Sequence, residues 1–300
     1  MAAESSQLNG NRPFGSNRDN LKRRRAKSRI AEGVTLLATL VAVGLLVLVV
    51  GSVLVKGASA LNFNFFFNTP AVYGATGGGI ANAIIGTAVL VAIATLMAVP
   101  VGVLVAIYLS EFARPSIATP LRVMLDVFTG IPSIVIGIFV FALLVVGNGQ
   151  SGYAGAFALA LIMLPYIARG TDEVLTLTAS TTREASLALG ASTSYTVMHA
   201  TLPTAVGGIV TSTVLAIARV AGETAPLLFA SSIAANAISG NPSQPLSSIP
   251  ITIFTYSESP SPDQHAQAWA AALTLIVFVL AISVLARLGA ARHTRKLRGG

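Results

Sequence analysis

The sequence predicts an all-α polytopic membrane protein, and three observations predict it. Hydrophobic residues make up 54% of the 300-residue chain and charged residues only 10%, well under the roughly one quarter carried by soluble domains. The apolar residues fall in runs long enough to cross a bilayer, which takes about 20 residues as helix. Lysine and arginine collect beside those runs, chiefly in Lys22 to Arg29 and Arg287 to Arg298. Although the net charge is +8, bases so placed read as topology signals facing anionic membrane lipid, and no nucleic-acid role is expected. The chain has no cysteine, so no disulfide framework and no thiolate metal site is available.

Taken in order, residues 1–29 read as a disordered, basic cytoplasmic leader. Ile30 to Val55 is a first span, too long for the apolar part of a cleaved signal peptide. Phe63, Phe65, Phe66 and Phe67 then suit an interfacial or partly buried external segment. Gly77 to Gly79 lacks the lysine and hydroxyl of a phosphate-binding loop and precedes a second span, Ile80 to Leu109, with a kink expected near Pro100. A third span, Val123 to Val146, is interrupted at Gly130-Ile131-Pro132-Ser133, and a fourth, Tyr153 to Thr171, by Pro165. The fifth is Ala205 to Ala230. A polar connection from Ser231 to Gln267 leads to the sixth, Ala268 to Leu288. The transmembrane domain is thus 30–290, followed by a basic cytoplasmic tail, 291–300.

Charge supplies the expected orientation. With the amino terminus cytoplasmic, about six crossings put the connector Ser110 to Arg122, the loop 172–203 and the carboxyl terminus inside, and Lys56 is left as the one lysine or arginine in an external loop. That is a strong positive-inside asymmetry.

Loop 172–203 is the longest polar-tinged stretch between apolar ones. Thr181 and Glu184 have capping-box spacing, which predicts the start of a short helix. Gly190 is placed to end it with a left-handed residue. A second short helix is expected from Ser192 or Thr193, yielding near Pro203, which lacks an amide donor. Read from these residues alone, the segment is a helix-turn-helix on the surface. The set Glu184, Ala185, Ser186, Gly190, Leu202 and Pro203 resembles the coupling-loop signature of the permeases of bacterial binding-protein-dependent ABC importers. Ser186 stands where that family often has alanine, a small-for-small change. The resemblance implies a cytoplasmic loop that docks on an ATP-hydrolysing partner.

Two arginine–glutamate pairs at helical spacing stand out in the apolar runs: Arg219 with Glu223, placed near the middle of the fifth span, and Arg169 with Glu173, near Asp172 at the inner end of the fourth. A charge at that depth faces protein or water, and partners four residues apart share a helix face. One reading makes each arginine a structural staple neutralised by its glutamate, with Arg169 snorkelling to the interface. The other makes Arg219 an oxyanion contact, since guanidinium offers a planar fork. A carboxylate beside that contact favours an anion with a proton to donate, which phosphate keeps at neutral pH and sulfate does not. Asp126 is expected to cap its helix or to pair with Arg122, with a transport role as the lesser alternative. His199, His265 and His293 have no metal spacing.

The segments GGIANAIIGT around Gly79, VPVGVLVAIYLSEFA at Val99 to Ala113, GIPSIVIGIFVF at Gly130 to Phe141, LPYIARGTDEV at Leu164 to Val174 and ARVAGETAPLLF at Ala218 to Phe229 are similar, together and in order, to one permease family of the bacterial phosphate importer. That resemblance implies a non-catalytic subunit of the inner membrane, with a sister permease, a cytoplasmic ATPase dimer that uses MgATP, and an external phosphate-binding protein. It implies no cofactor or metal on this chain, inorganic phosphate as substrate, and Arg169, Glu173, Arg219 and Glu223 along the path. Two alternatives stay open: the same scaffold carrying sulfate, molybdate or phosphonate, and a membrane scaffold or sensor without transport.

Overall fold

Where no water reaches the backbone, its amides must be satisfied within the segment, so long apolar runs fold as helices. The computed structural model describes residues 18–71, 77–177, 180–231 and 237–298. Among them the chain is all-α, apart from an isolated bridge between Pro70 and Gly78. Contacts divide it into two units, 1–52 and 53–300.

The helices are α1 (Arg18–Ala60), α2 (Phe63–Phe67), α3 (Ala81–Ile107), α4 (Pro115–Thr129), α5 (Ser133–Val140), α6 (Gly152–Leu177), α7 (Ser180–Ala188), α8 (Thr193–Thr196), α9 (Leu202–Val220), α10 (Ala225–Ala230), α11 (Ile249–Ser257) and α12 (Pro262–Arg298). π-Helical turns extend α3 over Tyr108–Phe112 and α5 over Phe141–Val145, and a third, Val197–Thr201, joins α8 to α9. Five stretches are long and apolar enough to cross a membrane: Arg23–Ala60, Ala81–Phe112, Gly152–Leu177, Thr193–Val220 and Pro262–Gly289. The α4–α5 pair makes a sixth only as a broken span, bent by 92°.

In the second unit α6 is the central post. Of its most apolar window 67% is buried, against 33% or less for the other candidate spans. Its main partner is α3, whose contact face steps by four residues through Leu90, Ala94, Ala98, Gly102 and Ala106. The upper part of that face packs with Ala156, Leu159, Ala160, Met163 and Ile167 in one core cluster. Small residues at this spacing let two backbones approach closely, the usual source of cohesion between helices in lipid. A Cβ on Gly102 would lie 2.9 Å from Ile167 Cγ2 and 3.3 Å from the Ala168 amide nitrogen. Helix α9 runs antiparallel along another side of α6, where Gly170 meets Ser212 and Gly208 meets Val174.

Several boundaries differ from the sequence reading, each for a physical reason. The basic segment is helical from Arg18, so the leader expected to be unstructured through residue 29 is helix over its last part; residues 1–17 lie outside the described ones. The third expected span is not straight. Pro132, without an amide to donate, stands at the start of α5, and the chain turns there. The fifth is broken after Val220, and α10 begins at Ala225 with Pro226 in its first turn. The connection from Ser231 to Gln267 holds an apolar helix, α11, that folds back into the core. Its start is fixed by the Ile249 amide donating to Thr87 Oγ1 at 2.8 Å, both residues buried. Phe65 is buried against Ile80, Ile249 and Tyr256, whereas Phe63 and Phe67 stay exposed.

Gly102→Leu is expected to force α3 from α6 and to destabilise the fold by about 1–3 kcal/mol, read as a lower unfolding midpoint in detergent. Gly44→Leu, at a glycine with open space around its Cβ position, is expected to leave that midpoint in place.

Candidate functional site

The break in the fifth span moves Arg219 from the middle of a helix to the last turn of one. α9 ends at Val220, and the following turn, in which the Glu223 amide donates to the Val220 carbonyl at 3.0 Å, takes Glu223 off the helix face. The expected ion pair between Arg219 and Glu223 is therefore not formed. Arg219 instead lies over the Tyr166 ring, 4.7 Å from its centroid, a cation–π arrangement. The carboxyl end of α9 adds a favourable dipole. Tyr166 stands about three turns, roughly 16 Å, from the Leu177 end of α6 and one turn before Arg169.

Tyr166 also ties in the other broken helix. Its hydroxyl donates to the Thr129 carbonyl at 3.2 Å, in the last turn of α4. Two interruptions of backbone regularity thus meet at one level, and irregular backbone at membrane depth is tolerated where it is buried in protein or lines a cavity. A cleft of about 710 Å³ lies there, lined by Asp126 and Thr129 of α4, by Tyr166, Arg169, Gly170 and Glu173 of α6, and by Ser212, Leu215, Ala216 and Arg219 of α9, among others. The residues from each helix follow three- and four-residue steps, so each helix gives the cleft one face.

Arg169 is surrounded by carboxylates. Its guanidinium is 3.4 Å from Glu173, as the spacing predicts, and also 3.1 Å from Asp126 and 3.7 Å from Asp172. Asp126 and Glu173 are more than half exposed in the isolated chain, so these contacts are screened and individually weak. Asp126 does not pair with Arg122. That arginine forms a two-pronged bridge to Asp172, Nε to Oδ2 at 2.7 Å and Nη2 to Oδ1 at 2.9 Å, with the Asp172 side chain 3% exposed. Among the described residues no carboxylate pairs with Arg219, whose side chain is exposed to the cleft. Three of the four expected path residues are brought together and Glu223 is not. Asp126 and Ser212 lay in no motif; Tyr166 lies in the segment LPYIARGTDEV, one turn before Arg169, but was not singled out.

The loop that follows α6 is shorter than expected, since α6 continues to Leu177. Thr181 falls within α7, which starts at Ser180, and its side chain lies outside the described residues, as do residues 178 and 179. Gly190 does end α7: its φ is +86°, its amide donates to the Leu187 carbonyl at 2.9 Å, and the Ala191 amide donates to Ser186 at 3.2 Å, the Schellman pattern. Ser192 caps α8 by accepting from the Tyr195 amide. Ser186 Oγ and Thr196 Oγ1 are 2.9 Å apart and lock the two short helices into a hairpin. Glu184, Ala185, Leu187 and Leu189 are exposed on it. Pro203 does not end the second helix. It sits in the first turn of α9, directly after the π turn Val197–Thr201 that carries α8 into the span.

Broken helices that meet at one level, a charged cleft between them and a polar helical hairpin at one end are the features of a membrane-spanning permease subunit. The chain belongs to the family of binding-protein-dependent transport system inner membrane components, whose model matches residues 98–298. Within it the chain is PstA-like. Phosphate transport system permease protein PstA of Yersinia pestis is 37% identical over 266 residues, covering 88% of this chain and 90% of that one, and PstA of Mycobacterium leprae is 34% identical over 287 residues, covering 92% and 93%. Solved structures share the fold. A chain of the bacterial alginate ABC importer superposes with a TM-score of 0.61 at 15% identity over 89% of this chain and 99% of its own. A chain of the inward-facing methionine transporter MetNI gives 0.55 at 19% identity, covering 72% and 94%.

Arg122→Gln is expected to cost about 1.5–3 kcal/mol, because it removes both guanidinium hydrogen bonds of the buried Asp172 carboxylate and leaves it the longer contact with Arg169. Asp126→Asn is expected to cost under about 1 kcal/mol, as the loss of an exposed pair. Thermal unfolding of the purified protein in detergent distinguishes the two.

Proposed function

We propose that the chain is the PstA-type permease of an ATP-driven importer of inorganic phosphate, and that the cleft between α4, α6 and α9 is its part of the translocation path. The observation that carries this reading is Arg219: a cation seated on Tyr166, left unpaired by carboxylate among the described residues and facing the cleft. Arg169 is already held by three carboxylates, so Arg219 is the group with its charge to offer. The fork of a guanidinium suits an oxyanion. Asp126 and Glu173 across the cleft repel a fully ionised anion and accept a hydrogen bond from a protonated one, which favours phosphate over sulfate. Arg169 and Glu173 set the charge of the path; Glu223 follows Arg219 in the turn between α9 and α10 and accompanies it in transport.

The family and the resemblance to phosphate permeases support a set of partners. A PstC-like sister permease completes the path, a PstS-like binding protein delivers phosphate outside, and a PstB-like ATPase pair holds MgATP. This chain itself needs neither cofactor nor metal. Both termini and the hairpin of α7 and α8 lie on the cytoplasmic side, supported by the placement of lysine and arginine. Glu184, Ala185, Ser186, Gly190, Leu202 and Pro203 form or support the surface that seats in the ATPase. Closing of the ATPase pair draws the hairpins together and opens Arg219 to one side, then the other.

The test is anion uptake in a strain deleted for the whole importer and restored with wild type or Arg219→Ala. The expected result is phosphate uptake that sulfate, molybdate and phosphonate do not compete away, lost in the variant while the assembled complex is still recovered from the membrane. Uptake of another of these anions independent of phosphate would overturn the substrate, and undiminished phosphate uptake by the variant would overturn the role of Arg219.

A further inference from the structure

The π turn Tyr108–Phe112 at the end of α3 is gripped from two sides by charged groups that the substrate path does not use. On one side Glu111 forms an ion pair with Arg183 of α7, across 72 residues of sequence. The Glu111 side chain is only 2% exposed, so its charge has been taken out of water and depends on that guanidinium. Arg183 is equally committed: its Nε is buried and has no hydrogen-bond partner among the described residues, which leaves Glu111 as its anchor. On the other side Arg122 of α4 donates from Nη2 to the carbonyl of Leu109, at 3.4 Å, with the same nitrogen that bonds Asp172.

We infer that Glu111 and Arg183 are coupling residues, which fasten the coupling helix α7 to the end of α3 so that a displacement of the helical hairpin is delivered to the cleft. The connections are continuous. α7 holds the π turn through Arg183 and Glu111, the π turn meets Arg122 through Leu109, and Arg122 grips Asp172, three residues from Arg169 on α6. Apart from these contacts α7 packs mainly on α8 and the π turn that follows it; the ion pair ties it sideways into the span bundle. A buried, paired carboxylate suits this task because the pair resists separation while a π turn, one residue out of helical register, leaves the end of α3 able to shift. Glu111 and Arg183 act through other groups and touch no substrate, so they are positioning residues. The inference rests on the reading of the hairpin as the ATPase contact.

The experiment uses the complete importer, two permeases, ATPase pair and binding protein, reconstituted in lipid vesicles, with phosphate transported and ATP hydrolysed measured together. Glu111→Gln and Arg183→Gln are each expected to lower phosphate moved per ATP by about tenfold or more while ATP hydrolysis continues, and the exchanged pair E111R/R183E is expected to recover much of the ratio. If the glutamine variants do not assemble, Glu111→Asp and Arg183→Lys decide, since they keep both charges and alter only reach; a reduced ratio is expected for each. A ratio within about twofold of wild type in the assembled variants overturns the inference. A wild-type complex that fails to couple phosphate to ATP at all overturns instead the function on which it rests.

Discussion

The bridge between Arg122 and Asp172 is the interaction on which the rest of this arrangement depends. Asp172 is buried in the central helix, and a bare carboxylate there would cost several kcal/mol. Arg122 meets it with both prongs from α4, and in doing so fixes the first half of the broken α4–α5 pair against α6. With α4 held, Thr129 comes within reach of the Tyr166 hydroxyl and Asp126 within reach of Arg169. The cleft therefore inherits its third wall from a bond whose residues do not line it.

Around that bond the helices obey two separate rules. Where they pack, as α3 does on α6, small residues at four-residue spacing bring backbones together and the interface is dry. Where they part, at 130–132 and 221–224, backbone polar groups leave the helical ladder and must face protein or a cavity. Both breaks fall near the level of Tyr166. The same constraint that permits an irregular backbone inside a membrane places Arg219, which pairs with no carboxylate among the described residues, at the junction of three helices.

Much of this was legible in the sequence. Apolar length located every long helix, and Gly190 was read correctly because only a left-handed residue lets the chain turn so sharply after α7. Arg169 with Glu173 followed from helical spacing. Arg219 with Glu223 did not, since four-residue spacing means a shared face only while the helix continues, and nothing local in Ala221-Gly222 outweighed the apolar run around it. Pro203 misled in the opposite direction: a proline stops a helix in its interior but is accommodated in a first turn, and the preceding π turn was invisible to a pattern of period 3.6. The partners of Arg122, Asp126 and Glu111 are 50 or more residues away or across helices, where spacing carries no information, so only the fold reveals them.

The proposed phosphate path through the cleft of α4, α6 and α9 requires a wall that water reaches. Because the chain has no cysteine of its own, a single cysteine at Leu215, exposed on the cleft wall, reports on it without background from this subunit. The most direct measurement is the rate at which a charged thiol reagent modifies Leu215→Cys in the assembled, transporting complex, with and without phosphate. The account predicts modification that phosphate slows and that blocks uptake once complete. A cysteine that reacts equally fast with and without phosphate, or whose modification leaves uptake unchanged, would contradict it.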